Sequence, residues 1–434
     1  RVRFQFQPAA PGVQFVQLRA VLESEDNEAV DVDSRIEVTT ANNTQWLTVN
    51  RAGGPFRILY LAGRPNWDFK FLRRALDEDL ELELAALVRL AKKEMKFVFG
   101  DQAVDSTNRL FKGFAEDEET AEQSDESILI GYGKGPTGEV VEEFPATTEE
   151  LFAYDAVVLD DIEASFFTQS QMLLMREFVA ARGGGLMMLG GQECFTNGGY
   201  RDTPLGDVLP VYLRASDLRD DTQQPARFQL TRQGTLEPWL RLRSTQRDEQ
   251  TRLEKMPEFQ TWNLASDTKP GASVLVELET PRGMVPGLVT QQFGKGKSLA
   301  LLVGDMWRWS MRREEGEEDE LAQNWRQIAR WITNDVPRRV EAEVIAPSSP
   351  LLPHQIRITL RDGTFKPLDN AEVKLEILQP DGKTLTTTAI ADSQQSGLYL
   401  AEFWSQLDGG YLGTIRAMTP DGVGLDPATT GWTA

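Results

Sequence analysis

Gly183-Gly-Gly-Leu-Met-Met-Leu-Gly-Gly-Gln-Glu-Cys-Phe-Thr-Asn-Gly-Gly-Tyr200 carries a short apolar run into a glycine-rich turn that holds the chain's one cysteine, Cys194. Leu186 to Leu189 reads as a strand buried on both faces. Gly190 and Gly191 let the backbone turn sharply at its carboxyl end, where open α/β sheets place their ligands. The simpler reading is a tight turn with no ligand, because a lone Gly-Gly after a strand is a weak motif.

Working outward, Arg57-Ile-Leu-Tyr-Leu-Ala is a compact strand broken by Gly63-Arg-Pro-Asn. Asn66 is placed to cap a helix with Trp67, Phe71, Leu72, Ala75 and Leu76 on one face, and Leu82 to Leu90 follows as a second strand. Strand, turn, helix, strand is a βαβ unit, which implies a parallel sheet. The pattern returns in Ala156-Val-Val-Leu, a capping box of Thr168 with Gln171, a helix face of Met172, Met175, Phe178 and Val179, and the strand from Leu186. The expected fold class is α/β, doubly wound and flavodoxin-like.

Between the halves, residues 91–146 form an interruption whose acidic run, Ala115 to Glu126, reads as a solvated loop. It lacks the spacing and glycine of an EF-hand calcium loop. Later strands are expected at Arg227-Phe-Gln-Leu-Thr, Ser273 to Leu278 and Ser298 to Val303, with a closing helix from Glu318 to Asn334 ended by Pro337. Phe293-Gly-Lys-Gly-Lys-Ser lacks the spacing of a phosphate loop and reads as a hairpin turn.

Both flanks have β grammar. Val2 to Phe6, Val13 to Leu22, Arg35 to Thr39 and Trp46 to Val49 read as strands of a partial β-sandwich over residues 1–54. Val340 to Val344, Gln355 to Leu360, Ala371 to Leu378, Gly397 to Phe403 and Gly410 to Ala417 predict an immunoglobulin-like β-sandwich over residues 338–434. The α/β domain then spans residues 55–337.

The chain carries 67 acidic and 46 basic residues for a net charge of −21. That field opposes phosphate, so a nucleic-acid partner is not expected. One cysteine and one histidine, His354, cannot build a zinc site of the usual kind, and no metal or other cofactor is expected. No apolar run is long enough to span a bilayer. The sequence opens on Arg1, and any membrane segment is expected outside it.

Two constellations stand out. Asp160-Asp161 at a strand's carboxyl end, followed by Glu163 and joined by Glu193, offers carboxylates for acid/base work or a hard cation. The simpler reading has the aspartates capping the next segment and facing water, because neighbours on a strand point to opposite faces and only one enters a cleft. In Asp305-Met-Trp-Arg-Trp-Ser-Met-Arg-Arg, Trp307 and Trp309 alternate with arginines. This pattern suits a surface for a sugar or carboxylate, or packed tryptophans beside paired arginines.

Four blocks in order resemble the bacterial putative glutamine amidotransferase family: Arg57 to Leu76, Gly183 to Gly191, Gly198 to Val211 and Phe293 to Ala300. The resemblance covers roughly residues 55–337 and implies a fold similar to class I glutamine amidotransferases. It also implies a bacterial protein held in the membrane by helices outside this domain, with an extracytoplasmic location and a protein partner or small ligand in the cell envelope. Class I enzymes use a cysteine on a strained turn, a histidine base and an orienting glutamate. Aligning Leu186 to Leu189 on the nucleophile strand puts Gly190 where that cysteine belongs. Cys194 lies past the turn, and His354 falls in the predicted sandwich. A frame that binds without cutting is therefore expected, with Gly190, Gly191, Gln192, Tyr200 and Arg64 at the ligand. Cys194, Asp160, Asp161 and Glu193 remain the candidates should the chain be catalytic.

Overall fold

The computed structural model describes residues 12–20, 43–51, 54–91, 128–218, 223–281, 283–313, 316, 318–349 and 352–434. These fall into two units, Pro55–Val336 and a second made of Arg1–Gly54 with Pro337–Ala434. The strands expected at Val2 to Phe6 and Arg35 to Thr39, and the acidic run Ala115 to Glu126, lie outside the described residues.

In the second unit, β1 (Gly12–Arg19) and β2 (Thr44–Arg51) pair antiparallel. The strands of the α/β unit are β3 (Phe56–Ala62), β4 (Leu82–Ala91), β5 (Ile128–Tyr132), β6 (Ala156–Asp160), β7 (Gly185–Leu189), β8 (Gln223–Leu230), β9 (Phe259–Thr261), β10 (Ser273–Thr280), β11 (Gly283–Phe293) and β12 (Gly296–Leu301). They form one sheet in the order β5-β4-β3-β6-β7-β12-β11-β10-β8-β9. Its core, β4-β3-β6-β7-β12, is parallel, and the strands at either end are antiparallel. The chain runs from β3 outward to β4 and then restarts on the other side of β3 with β6. The switch point therefore lies between the carboxyl ends of β3 and β6, where open sheets leave a crevice.

Sequence pattern explains the helices. Asn66 caps α1 (Trp67–Asp77), accepting from the amide of Phe69 at 2.7 Å, and Leu72, Ala75 and Leu76 are buried. Burying each leucine contributes about 1.5–3 kcal/mol. Trp67, expected on the same face, is 48% exposed. After α2 (Thr148–Phe152), α3 (Gln169–Glu177) begins at a complete Thr168–Gln171 capping box and runs into a π turn, Phe178–Arg182, ended by Gly183 at φ 91°. The short α4 (Pro204–Val208), α5 (Gln246–Lys255), α6 (Trp307–Met311) and α7 (Glu320–Thr333) complete the unit. Ile58, Tyr60, Met187, Leu189, Leu299 and Leu301 share a core with the buried faces of α1 and α7. Residues 91–146 are not loop throughout, since β5 adds an antiparallel edge strand against β4.

The carboxyl-terminal strands β13 (Val340–Ile345), β14 (His354–Leu360), β15 (Glu372–Leu378), β16 (Thr384–Thr388), β17 (Ile390–Ala391), β18 (Leu398–Phe403), β19 (Gly410–Met418) and β20 (Ala428–Thr433) form two antiparallel sheets, β13-β14-β18-β17 and β16-β15-β19-β20. Ile356, Ile358, Val373, Leu375, Tyr411 and Trp432 lie in the core they enclose. The β1–β2 pair packs on β19 and β20, where Phe15 lies over Gly410 and Val13 over Gly431. Among the described residues no helix is long and apolar enough to cross a membrane.

Candidate functional site

At the switch point the turn after β3 passes so close to β6 that a Cβ on Gly63 would sit 1.9 Å from the Asp161 carbonyl oxygen. Only glycine permits that approach. The same turn delivers Asn66, whose Nδ2 donates to Asp160 at 2.6 Å, and the Tyr60 hydroxyl donates to the same carboxylate oxygen. Asp160 is 2% exposed, and burial raises its pKa to about 6 against the opposing hydrogen bonds from Tyr60 and Asn66. Nearby Asp68 is also buried and pushed well up, by burial and then by the charge of Asp160.

Asp161 leaves the strand with φ 47° and holds the next turn. One carboxylate oxygen accepts the Glu193 amide at 2.8 Å, and the other pairs with the Arg64 guanidinium, which also donates to Gln192 at 3.1 Å. The Asp161 amide donates to the Cys194 sulfur at 3.1 Å. Cys194 is fully buried, and burial followed by the charges of Asp161 and Asp160 raises the thiol well above its ordinary value. A thiol in such surroundings stays protonated and unreactive. Gly191 is pinned by Asn263, which accepts its amide at 2.9 Å and donates to its carbonyl at 3.0 Å.

A second cluster centres on Arg89, an arginine 2% exposed at the end of β4. It donates to the Gly63 carbonyl at 3.0 Å and to both oxygens of Glu163 at 2.8 and 2.7 Å, and it lies 3.6 Å from Glu193. Burial, the largest single influence, pushes the Glu163 carboxyl up, but hydrogen bonds from Arg89, the Glu163 backbone and Glu193 together with the Arg89 charge outweigh it and hold the group well below the usual range. Arg89 escaped the sequence reading, although a lone arginine in the apolar run Leu82 to Leu90 signals a buried cation that needs a carboxylate. Tyr60 and Asn263 gave no comparable signal.

Several expectations need correction. Asp160 and Asp161 do not face water, because the strand alternation stops at Asp160 and both carboxylates are taken up inside the crossing of β3, β6 and β7. Tyr200, expected at a ligand, is fully buried with its hydroxyl donating to the Ile162 carbonyl at 2.8 Å. Arg64, Gln192 and Glu193 do gather at the crevice, but Asp160, Asp161 and Glu193 each bind different protein groups. No cluster of three acidic, histidine or cysteine side chains suited to a metal occurs among the described residues. Gly190 has no room for a side chain, since a Cβ there would sit 2.7 Å from the backbone carbons of Leu302 and Val303. His354 lies in β14 of the other unit, within 3.1 Å of the Ser405 hydroxyl. Trp309 is a core residue with Arg252 over its ring at 5.1 Å, whereas Trp307 is half-buried.

The parallel sheet, its switch point and the glycine turn after β7 agree with a comparison of sequences, in which residues 124–334 match the family described as "Putative glutamine amidotransferase". These residues form a glutamine amidotransferase-like domain. The match begins after β4, so the Arg57 to Leu76 block lies ahead of it. Solved structures similar to this chain include three at low identity. A cytoplasmic protein from Salmonella typhimurium is 17% identical over 63% of this chain and 98% of its own, with a TM-score of 0.35. A ThuA-like protein from Parabacteroides merdae is 11% identical over 66% of this chain and 93% of its own, with a TM-score of 0.36. A β-galactosidase from Halorubrum lacusprofundi is 14% identical over 58% of this chain and 32% of its own, with a TM-score of 0.24. No curated protein matches the sequence.

Proposed function

We propose that this chain is a non-catalytic binding or scaffold region of a bacterial envelope protein, built on an amidotransferase-like domain that does not hydrolyse glutamine. The observation that carries this reading is Gly190. The turn that positions a nucleophile in class I enzymes is packed against Leu302 and Val303 with no space for a thiol. Two facts support it. Cys194 is sealed beneath the turn with its sulfur engaged by an amide, and the chain's one histidine belongs to the other unit. Nucleophilic catalysis needs a base within hydrogen-bond reach of the thiol.

The surface left for a ligand is the crevice edge made by Arg64, Gln192, Glu163 and Glu193. Arg64 is held by Asp161 yet has a side chain 46% exposed, so its guanidinium is pre-positioned for an incoming polar group. Asp160 and Asp161 are given to positioning rather than to acid/base work, since Tyr60 and Asn66 share one Asp160 oxygen while the Glu193 amide and Arg64 take the two of Asp161. The envelope placement rests on the family resemblance alone.

Incubation of native protein with a glutamine-analogue diazoketone, followed by intact-mass measurement, tests the reading. The expected result is no adduct on the native chain and ready alkylation of Cys194 by iodoacetamide after unfolding. Stoichiometric labelling of Cys194 in the native state would overturn it.

A further inference from the structure

A surface away from the crevice carries groups that the proposed function leaves unused. The helices α1 and α6 lie side by side, locked by the Trp307 amide donating to Asp68 at 2.9 Å. Each presents an apolar pair one turn apart, Trp67 with Phe71 and Trp307 with Met311. Trp67 is 48% and Met311 59% exposed, and the Trp67 ring lies 6.4 Å from both Phe71 and Trp307. Two cations are stacked on the tryptophans, with Lys70 Nζ 4.4 Å from the Trp67 centroid and Arg308 5.0 Å from that of Trp307.

We propose that this surface docks an acidic peptide segment of a partner protein, with Trp67, Trp307 and Met311 seating its anchor and Lys70 meeting its carboxylates. Exposed tryptophan, methionine and arginine in one patch is the composition of an interface core, and tryptophan anchors dominate binding energy. Charge at the patch, rather than the chain's net −21, selects the partner, because solution ions screen charges beyond about 8 Å. Lys70 pairs with no carboxylate among the described residues and is held over an aromatic ring instead, which leaves its charge available to an outside anion. A neutral sugar fits less well. Its hydroxyls need exposed acceptors, and the carboxylates beside the tryptophans, Asp68 and Asp305, are 4% and 3% exposed and bonded to Trp307 and Arg308. The inference rests on α1 and α6 and stands whether or not the crevice takes a ligand.

The test is selection of phage-displayed random dodecapeptides on the purified full chain, followed by affinity measurement of the enriched peptides. The expected consensus places Asp or Glu around an aromatic or leucine anchor. Trp67→Ala should weaken binding by at least about tenfold. Lys70→Glu, which leaves the aromatic patch intact, should weaken it by a similar factor, and added salt should weaken binding to the unaltered chain. Matching thermal melts for the two variants exclude misfolding. No enrichment, a basic or uncharged consensus, or equal binding to Trp67→Ala overturns the proposal. Concentration-dependent self-association that Trp67→Ala abolishes also overturns it, by making a second copy the occupant.

Discussion

Arg89 and Glu163 form a two-point ion pair, Nη1 to Oε1 at 2.8 Å and Nη2 to Oε2 at 2.7 Å, that ties the end of β4 to the segment after β6 across the switch point. The guanidinium is 2% exposed and also holds the Gly63 carbonyl, so its removal leaves both a carboxylate and a backbone acceptor short of partners. Arg89→Met should lower unfolding free energy by about 3 kcal/mol in urea titrations, the scale for breaking a buried pair from one side. Arg89→Lys should recover only part of that, because an ammonium cannot match the fork.

Gly190 sets a steric prediction. Gly190→Ala and Gly190→Cys force a Cβ into the backbone of Leu302 and Val303. Each should cost about 1–3 kcal/mol, the usual range for overpacking, read as a lowered urea midpoint. The cysteine variant should gain no glutaminase activity.

Asp160 makes stability depend on pH. Its folded pKa, about 6, is raised above the ordinary aspartate value of 3.8. The folded state therefore holds the proton more tightly than the unfolded chain does. The resulting stability is fully present below about pH 4 and is lost as pH rises through about 6. Each pKa unit corresponds to about 1.4 kcal/mol. Asp160→Asn keeps an acceptor for Tyr60 and Asn66 and removes this dependence. Urea midpoints of the variant minus those of the unaltered chain should therefore climb between about pH 4 and pH 7. A flat difference would contradict the assignment.

Packing of the β1–β2 pair depends on two glycines. A Cβ on Gly431 would sit 2.3 Å from a Val13 methyl carbon, and one on Gly410 would sit 2.4 Å from the Phe15 ring. Gly431→Val or Gly410→Val should lift the pair away from β19 and β20. Limited proteolysis read by mass spectrometry should then show faster cleavage around β1 and β2, with the α/β unit unaffected.

Much of the fold was legible because periodicity and caps agree with the tertiary structure. The Asn66 cap, the Thr168–Gln171 capping box and the apolar runs of β3, β6 and β7 all point to a parallel sheet. The site was less legible. Strand alternation predicted that one of Asp160 and Asp161 faces water, but a left-handed residue at Asp161 ends the alternation, and sequence carries little sign of such a turn in a non-glycine residue. Tyr200 looked like a ligand contact because it follows glycines, yet its partner, the Ile162 carbonyl, is visible only in three dimensions. Trp67 sits at a core-facing spacing but is 48% exposed, and its ring neighbour Trp307 on α6 is distant in sequence.

Release of ammonia from L-glutamine by the purified full chain, followed with a coupled glutamate dehydrogenase assay across neutral pH, addresses the central claim directly. A blocked elbow at Gly190, a sealed thiol at Cys194 and a histidine in the other unit predict a rate no higher than a buffer blank and unchanged in Cys194→Ser. Turnover above the blank that Cys194→Ser abolishes would contradict the account.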